Sequence, residues 1–167
     1  RIRESEGMIY PYDGRFARVP REWFPKIEAA LDIGVVQNTA FRGTWQNSLP
    51  SVGGAVAFDK DIYTYGGLEN ENMIHYGPED TERYERFGRL GYKIERVRGI
   101  IYHLDHEVVK GTSNDNPYFE NNLVELNKER NMSIEELGEY VSSWPWTKIY
   151  TTEYYGEIQE GSIRSAK

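Results

Sequence analysis

An α/β domain is the fold class this sequence predicts, and three observations predict it. Apolar residues recur at helical spacing over 21–32, over 78–89, after Asn116-Pro117 and after Ser133. Short runs rich in Val, Ile and Tyr, at 52–58 and 92–102, lie between those helices and read as strands. The length of 167 residues suits one domain with a real core and is too short for two comfortable ones.

The elements follow in order. Met8 to Val19 reads as an extended entry with a turn at Asp13-Gly14. Trp23, Phe24, Ile27, Ala30 and Leu31 share one helical face over 21–32, with Pro25 in the first turns, where its missing amide leaves no bond unmade. Val35 to Pro50 is polar and reads as loop. Val52 to Phe58 fits a short buried strand interrupted by Gly53-Gly54. A brief helix near 59–65, with Asp59-Lys60-Asp61 as its capping start, and a loop over 66–77 come next. Pro78 takes the first position of a helix at 78–89 that ends near Gly91, with Tyr84, Phe87 and Leu90 inward. Tyr92 to Tyr102 forms a strand leading into His103. Asn116-Pro117 opens a helix with Phe119, Leu123 and Leu126 inward. Ser133 and Glu136 make a capping box for a last helix carrying Ile134, Leu137 and Val141. Residues 147–167 read as a polar tail.

Composition excludes several functions. The net charge of −7, with acids spread along the chain, argues against nucleic acid, whose phosphates need clustered Lys and Arg. With no Cys there is no disulfide framework, zinc-thiolate site or thiol nucleophile. No apolar run approaches the ~18 residues of a membrane span, and no signal peptide is visible. The expected location is the cytoplasm, including the inner face of the membrane. The first residue is Arg1 rather than Met, so the chain reads as part of a longer protein. The aromatic excess of 13 Tyr, 6 Phe and 4 Trp suits stacking on sugar rings and equally suits a core or an interface.

The chemistry-bearing residues are few. Glu79 and Asp80 stand in the first turn of their helix, where acids also offset the positive helix end. Tyr76-Gly77-Pro78 brings an aromatic face beside them, and Gly53-Gly54 lets backbone approach a bulky ligand. The three histidines are His75, His103 and His106. His103 and His106 fit metal ligation or local capping, and His75 reads as a loop residue. Asp59-Lys60-Asp61 and Asn114-Asp115-Asn116 lack the strand-end setting of a metal-binding Asp-x-Asp. Trp144-Pro145-Trp146 fits a hydrophobic clasp better than a sugar-stacking edge. Arg15, Arg18 and Arg21 read as solvated charge before phosphate contacts.

Four motifs occur in a telling order: Gly53-Gly54, Gly66-Gly67-Leu68, Tyr76-Gly77-Pro78-Glu79-Asp80 and Tyr102-His103-Leu104-Asp105-His106. This order resembles the acceptor half of GT-A fold glycosyltransferases of the galactosyltransferase-like group, and within it the inverting bacterial capsule enzymes. The resemblance spans roughly 8–146 and is specific across 52–106. Tyr76 replaces the more frequent Trp, and Pro78 replaces Gly. The resemblance implies the C-terminal part of a GT-A fold, a mixed sheet flanked by helices, with residues 1–146 as the acceptor-binding, catalytic half. It implies transfer of a hexose or N-acetylhexosamine from a nucleotide-sugar donor to a saccharide acceptor with inversion, in surface or capsular polysaccharide synthesis. By carry-over, Asp80 is the catalytic base, Glu79 and Tyr76 bind the acceptor, and Gly53 and Gly54 wall the donor sugar. His103, then His106, are the ligands for Mn²⁺ or another divalent cation. The small Ser51 leaves room for an N-acetyl group. Tyr10-Pro11-Tyr12-Asp13-Gly14 resembles the segment that follows the donor half. That half does not appear in the chain, so this piece alone is expected to be inactive and to self-associate. Two other classes compete: a non-catalytic carbohydrate-binding module, and an interaction domain in which these acids and histidines merely cap elements.

Overall fold

The computed structural model describes residues 7–37, 50–107 and 115–148. Its centre is the extended entry segment. Strand β1 (Gly7–Tyr10) is buried at every position, which requires a neighbour on each edge and cover on each face. Strand β4 (Lys93–Arg96) pairs with it in parallel and β3 (Ala57–Phe58) antiparallel, in the order β3-β1-β4. A second, parallel ribbon joins β2 (Arg15–Val19) to β5 (Ile100–Leu104). The architecture is therefore mixed α/β, a small mixed sheet flanked by helices, as the sequence predicts.

Both ribbons come from the same two stretches of chain, which bend together. The run expected to be one strand over 92–102 divides at Gly99, whose φ of 143° ends the first strand's path. The expected turn at Asp13-Gly14 lies beside it: Asp13 N donates to Gly99 O at 2.9 Å, and Gly99 N donates to Asp13 Oδ2 at 3.1 Å. The segment 52–58 departs further from expectation. Only Ala57–Phe58 pairs as strand, and 51–56 runs as chain that is half-buried except at the exposed Gly54, whose φ is 89°. A backbone turned at Gly54 cannot extend the ladder, and the residues it turns aside border the candidate site.

The 21–32 segment forms a 3-10 turn at Arg21–Trp23 and helix α1 (Phe24–Ala30), stopped by Leu31 in the left-handed region. Its apolar face does not enter the core. No residue of α1 is buried and Leu31 is 92% exposed; among the described elements its main packing is against the 3-10 turn and the short α2 (Gly34–Gln37). α2 replaces the start of the expected 35–50 loop, after Asp32 Oδ1 accepts from Gly34 N at 2.7 Å. Asp59 caps α3 (Lys60–Tyr65) by accepting from Asp61 N and Ile62 N at 3.0 and 3.2 Å. Helix α4 (Glu79–Arg89) starts one residue later than expected, with Pro78 at its N-cap, and Gly91 turns the chain at φ 86°.

Helix α5 (Phe119–Arg130) begins past Asn116-Pro117, because Asn116 Oδ1 holds Tyr118 N at 3.0 Å in a turn that precedes it. Leu126 is buried as expected, whereas Phe119 and Leu123 are half-buried and the polar Asn122 and Glu129 take the interior positions. The Ser133–Glu136 capping box opens α6 (Ile134–Ser143), and Leu137 and Val141 face inward. Ile134 stays 58% exposed at the first helical position, where the helix has not yet reached its neighbours. The Trp144-Pro145-Trp146 clasp is observed: both indoles are buried, 4.9 Å apart, and Trp146 Nε1 donates to Gly67 O at 3.2 Å. Residues 149–167 of the expected tail lie outside the described residues.

Two apolar clusters result. Met8, Tyr10, Tyr12 and Phe87 form one, and Leu137, Val141, Trp144 and Trp146 the other. Arg86 lies between them without solvent, donating to Glu82 Oε1 at 2.5 Å and to the carbonyls of Gly66 and Leu68. A buried guanidinium is tolerable only when its donors are met, and this one fastens the Gly66-Gly67-Leu68 turn onto α4.

Candidate functional site

The loop before α4 is held from beneath by two asparagines. Asn116 Nδ2 donates to Ile74 O at 2.9 Å and to Tyr76 O at 2.5 Å. Asn122 accepts from Ile74 N and donates to Ile74 O, each at 3.0 Å. Gly77 makes the close approach possible: a β-carbon there would stand 2.6 Å from Asn122 Nδ2. The loop therefore delivers Glu79 and Asp80 in a fixed frame, with Tyr76 beside them and 44% exposed.

The two acids then differ. Glu79 is half-buried and accepts from Gly77 N at 2.8 Å. Burial pushes its carboxyl above the ordinary carboxylate range, against the pull of backbone amides and of Arg83. Asp80 faces outward, its side chain 38% exposed, and pairs with Arg83 one turn along α4. Arg83 is itself nearly buried and reaches Glu69 Oε2 at 2.8 Å, so the guanidinium is anchored on one side and orients Asp80 on the other.

Gly53 completes the wall opposite Asp80. A β-carbon on Gly53 would lie 2.5 Å from Asp80 Oδ2, so any side chain at 53 would displace the carboxylate from its present place. A β-carbon on Gly54 would touch Ile101 Cδ1 at 3.4 Å. The 51–54 chain is secured by the Tyr12 hydroxyl, in reach of Gly53 O and Ser51 O, and by Arg96, which donates to Ser51 O at 2.9 Å. Ser51 also faces the Tyr12 hydroxyl through its own Oγ, at 3.3 Å. Arg96 lies over the ring of Tyr10 at 4.4 Å. The Tyr10 hydroxyl is buried with no hydrogen-bond partner among the described residues, and burial pushes it up to about 12.

From Ile101 the surface continues along one face of the β2/β5 ribbon. Alternation places Ile101 and His103 on the same face, and the register sets Phe16 opposite Ile101 and Arg18 opposite His103. The His103 ring is 5.1 Å from Phe16 and 5.0 Å from His106. Burial, then His106 and Arg18, hold the His103 imidazole below its usual value. Among the described residues there is no group of three or more His, Cys, Asp or Glu arranged to hold a metal. Two imidazoles without a carboxylate are an incomplete set for a hard ion such as Mn²⁺, which also wants oxygen donors.

The structure thus joins Gly53 to Asp80 directly, Tyr76 and Glu79 to the same loop, and Gly54 to the His103 face through Ile101. His106 Nδ1 stands 3.0 Å from the carbonyl of Glu107, beyond the strand end. Arg15 is clamped to Asp13 at 2.6 Å and Arg21 lies 3.6 Å from Glu107, both exposed, while Arg18 alone of the three stands beside His103. His75 is a loop residue, as expected. Asn114 lies outside the described residues, and Asn116 serves the loop. Sequence reasoning missed Arg83, Arg96, Asn116 and Asn122. Of these, Arg83 carried a usable signal, three residues after Asp80 on one helix face.

Residues 42–107 match the family described as the N-terminal domain of galactosyltransferase. The matched span contains Gly53, Gly54, Tyr76, Glu79, Asp80, His103 and His106. Neither the curated proteins nor the solved structures gave a match. This match supports a glycosyltransferase-like domain over that span and, in general terms, transferase activity on sugar substrates. No helix among the described residues is long and apolar enough to cross a membrane.

Proposed function

We propose that this chain is the acceptor-side, catalytic portion of an inverting GT-A glycosyltransferase that moves a hexose or N-acetylhexosamine from a nucleotide sugar to a saccharide acceptor. The observation that carries the proposal is the fit of Asp80 against Gly53, inside the span that matches a galactosyltransferase domain. An acceptor hydroxyl placed between Tyr76, Glu79 and Asp80 attacks the anomeric carbon. The bond from that carbon to the diphosphate oxygen breaks, the nucleoside diphosphate leaves, and the hydroxyl proton passes to Asp80. Glu79 orients a neighbouring hydroxyl, and Gly53 and Gly54 let the donor sugar lie against bare backbone. His103 and His106 would supply only part of the ligand set of a divalent cation such as Mn²⁺, whose oxygen donors would have to come from elsewhere; such a cation would offset charge on the diphosphate. Surface or capsular polysaccharide synthesis, a cytoplasmic site and self-association belong to the same reading.

The test is transfer by the complete protein carrying this chain, assayed with a panel of nucleotide sugars and saccharide acceptors in Mn²⁺. Asp80→Asn keeps the shape and removes the base, so kcat should fall by about 10²–10⁴. Undiminished turnover in that variant would remove Asp80 from the mechanism and favour a carbohydrate-binding role.

A further inference from the structure

The exposed large apolar side chains include Ile74 at 44%, Tyr76 at 44% and Tyr118 at 39%, which gather where the 66–77 loop crosses the start of α5. The His75 ring lies 5.9 Å from that of Tyr118, tilted by 34°. His75 holds φ at 58°, a backbone region that residues other than glycine seldom adopt and that persists only where surroundings enforce it. Here the enforcement is visible: Asn122 is fully buried, Asn116 is 5% exposed, and both bond to this loop. An exposed aromatic shelf is thus fixed to buried polar groups, and its near end is the loop that carries Glu79.

Tyrosine presents a flat apolar face with a polar edge, the chemistry that meets one face of a sugar ring. Glu79 and Asp80, which follow His75 and Tyr76 within a few residues at the start of α4, argue for the same occupant. A flat apolar protein surface would strip these carboxylates of water at a cost, whereas sugar hydroxyls donate to them. We propose that Tyr118 and His75 form an outer saccharide subsite, a stacking platform for the second sugar of an oligosaccharide acceptor whose terminal sugar sits at Tyr76, Glu79 and Asp80. This rests on the acceptor reading given above and narrows it: the acceptor is the end of an oligosaccharide or polysaccharide rather than a monosaccharide.

The test is binding of glucose, galactose, N-acetylglucosamine and the β-linked disaccharide of each to the complete protein. Affinity is read by calorimetry and location by the amide shifts of residues 74–80 and 118. At least one disaccharide should bind about fivefold more tightly than its monosaccharide, the gain expected of one stacked ring. Tyr118→Ala should lower that affinity to the monosaccharide value, and Tyr118→Phe, which keeps the ring, should retain the gain. Equal affinity for both lengths, or a length gain that survives Tyr118→Ala, overturns the subsite. Asp80→Asn separates the two readings. Transfer lost with no disaccharide preference in the parent protein sinks the subsite alone; transfer unchanged with the preference intact sinks the catalytic role alone. Failure of every saccharide to bind overturns both.

Discussion

At the scale of single residues, the site is built from side chains that are absent as much as from those present. Gly53 leaves the space that Asp80 Oδ2 occupies, and Gly77 leaves the space for Asn122. Gly53→Ala should therefore displace the Asp80 carboxylate while sparing the fold, since the clash is with the end of a side chain. Transfer should drop at least tenfold with the unfolding midpoint nearly unchanged, read by paired kinetics and thermal melts. A parallel loss of melting temperature would assign Gly53 to stability instead. The acid pair and both glycine pairs were legible in the sequence, because acids at a helix start and adjacent glycines are local features. Arg96 was not, because what it touches is set by strand packing, and Arg83 was legible only in its spacing from Asp80, not in its reach to Glu69.

At the scale of elements, boundaries marked by local chemistry were legible and those decided by packing were not. The Ser133–Glu136 capping box and the Asp59 cap fall where expected, each a side chain meeting an amide two or three residues away. Ser133→Ala should cost about 1 kcal/mol and lower the melting temperature by a few degrees, measured by circular dichroism, without changing saccharide affinity. The 92–102 run, by contrast, reads as one strand and folds as two, because Gly99 and Asp13 lock the chain between two ribbons. Helix α5 misleads in the same way. Its apolar spacing suggests an aliphatic face, yet Asn122 and Glu129 occupy the interior because the 66–77 loop brings polar backbone and Asn70 against them.

At the scale of the molecule, α4 and α5 are joined through a buried charged cluster. Asn70 Nδ2 donates to Glu129 Oε1 at 2.6 Å, and Arg89 donates to the carbonyls of Glu129 and Met132 at 2.6 and 2.5 Å. Burial first, then the neighbouring Glu82 carboxylate, pushes the Glu129 carboxyl up, with Arg86 opposing and Glu125 adding. The folded chain then keeps a proton that the unfolded chain has already released. Stability is fully present below the ordinary glutamate range and declines as pH rises from there through the raised folded value, by at most about 1.4 kcal/mol per pH unit. Urea unfolding from pH 5 to 8 should show that slope, and Glu129→Gln should flatten it. A slope identical in both proteins would mean that Glu129 is ionised in the folded chain.

The sequence alone determined the α/β class, the helix starts that carry their own caps, and the four motifs that resemble a glycosyltransferase, because each is written within a few consecutive residues. Only the tertiary structure decided that Gly53 stands against Asp80, that Gly54 connects to His103 through Ile101, and that two buried asparagines hold the acid-bearing loop. These contacts join residues distant along the chain, so their geometry is set by how the elements pack and not by any run of consecutive residues.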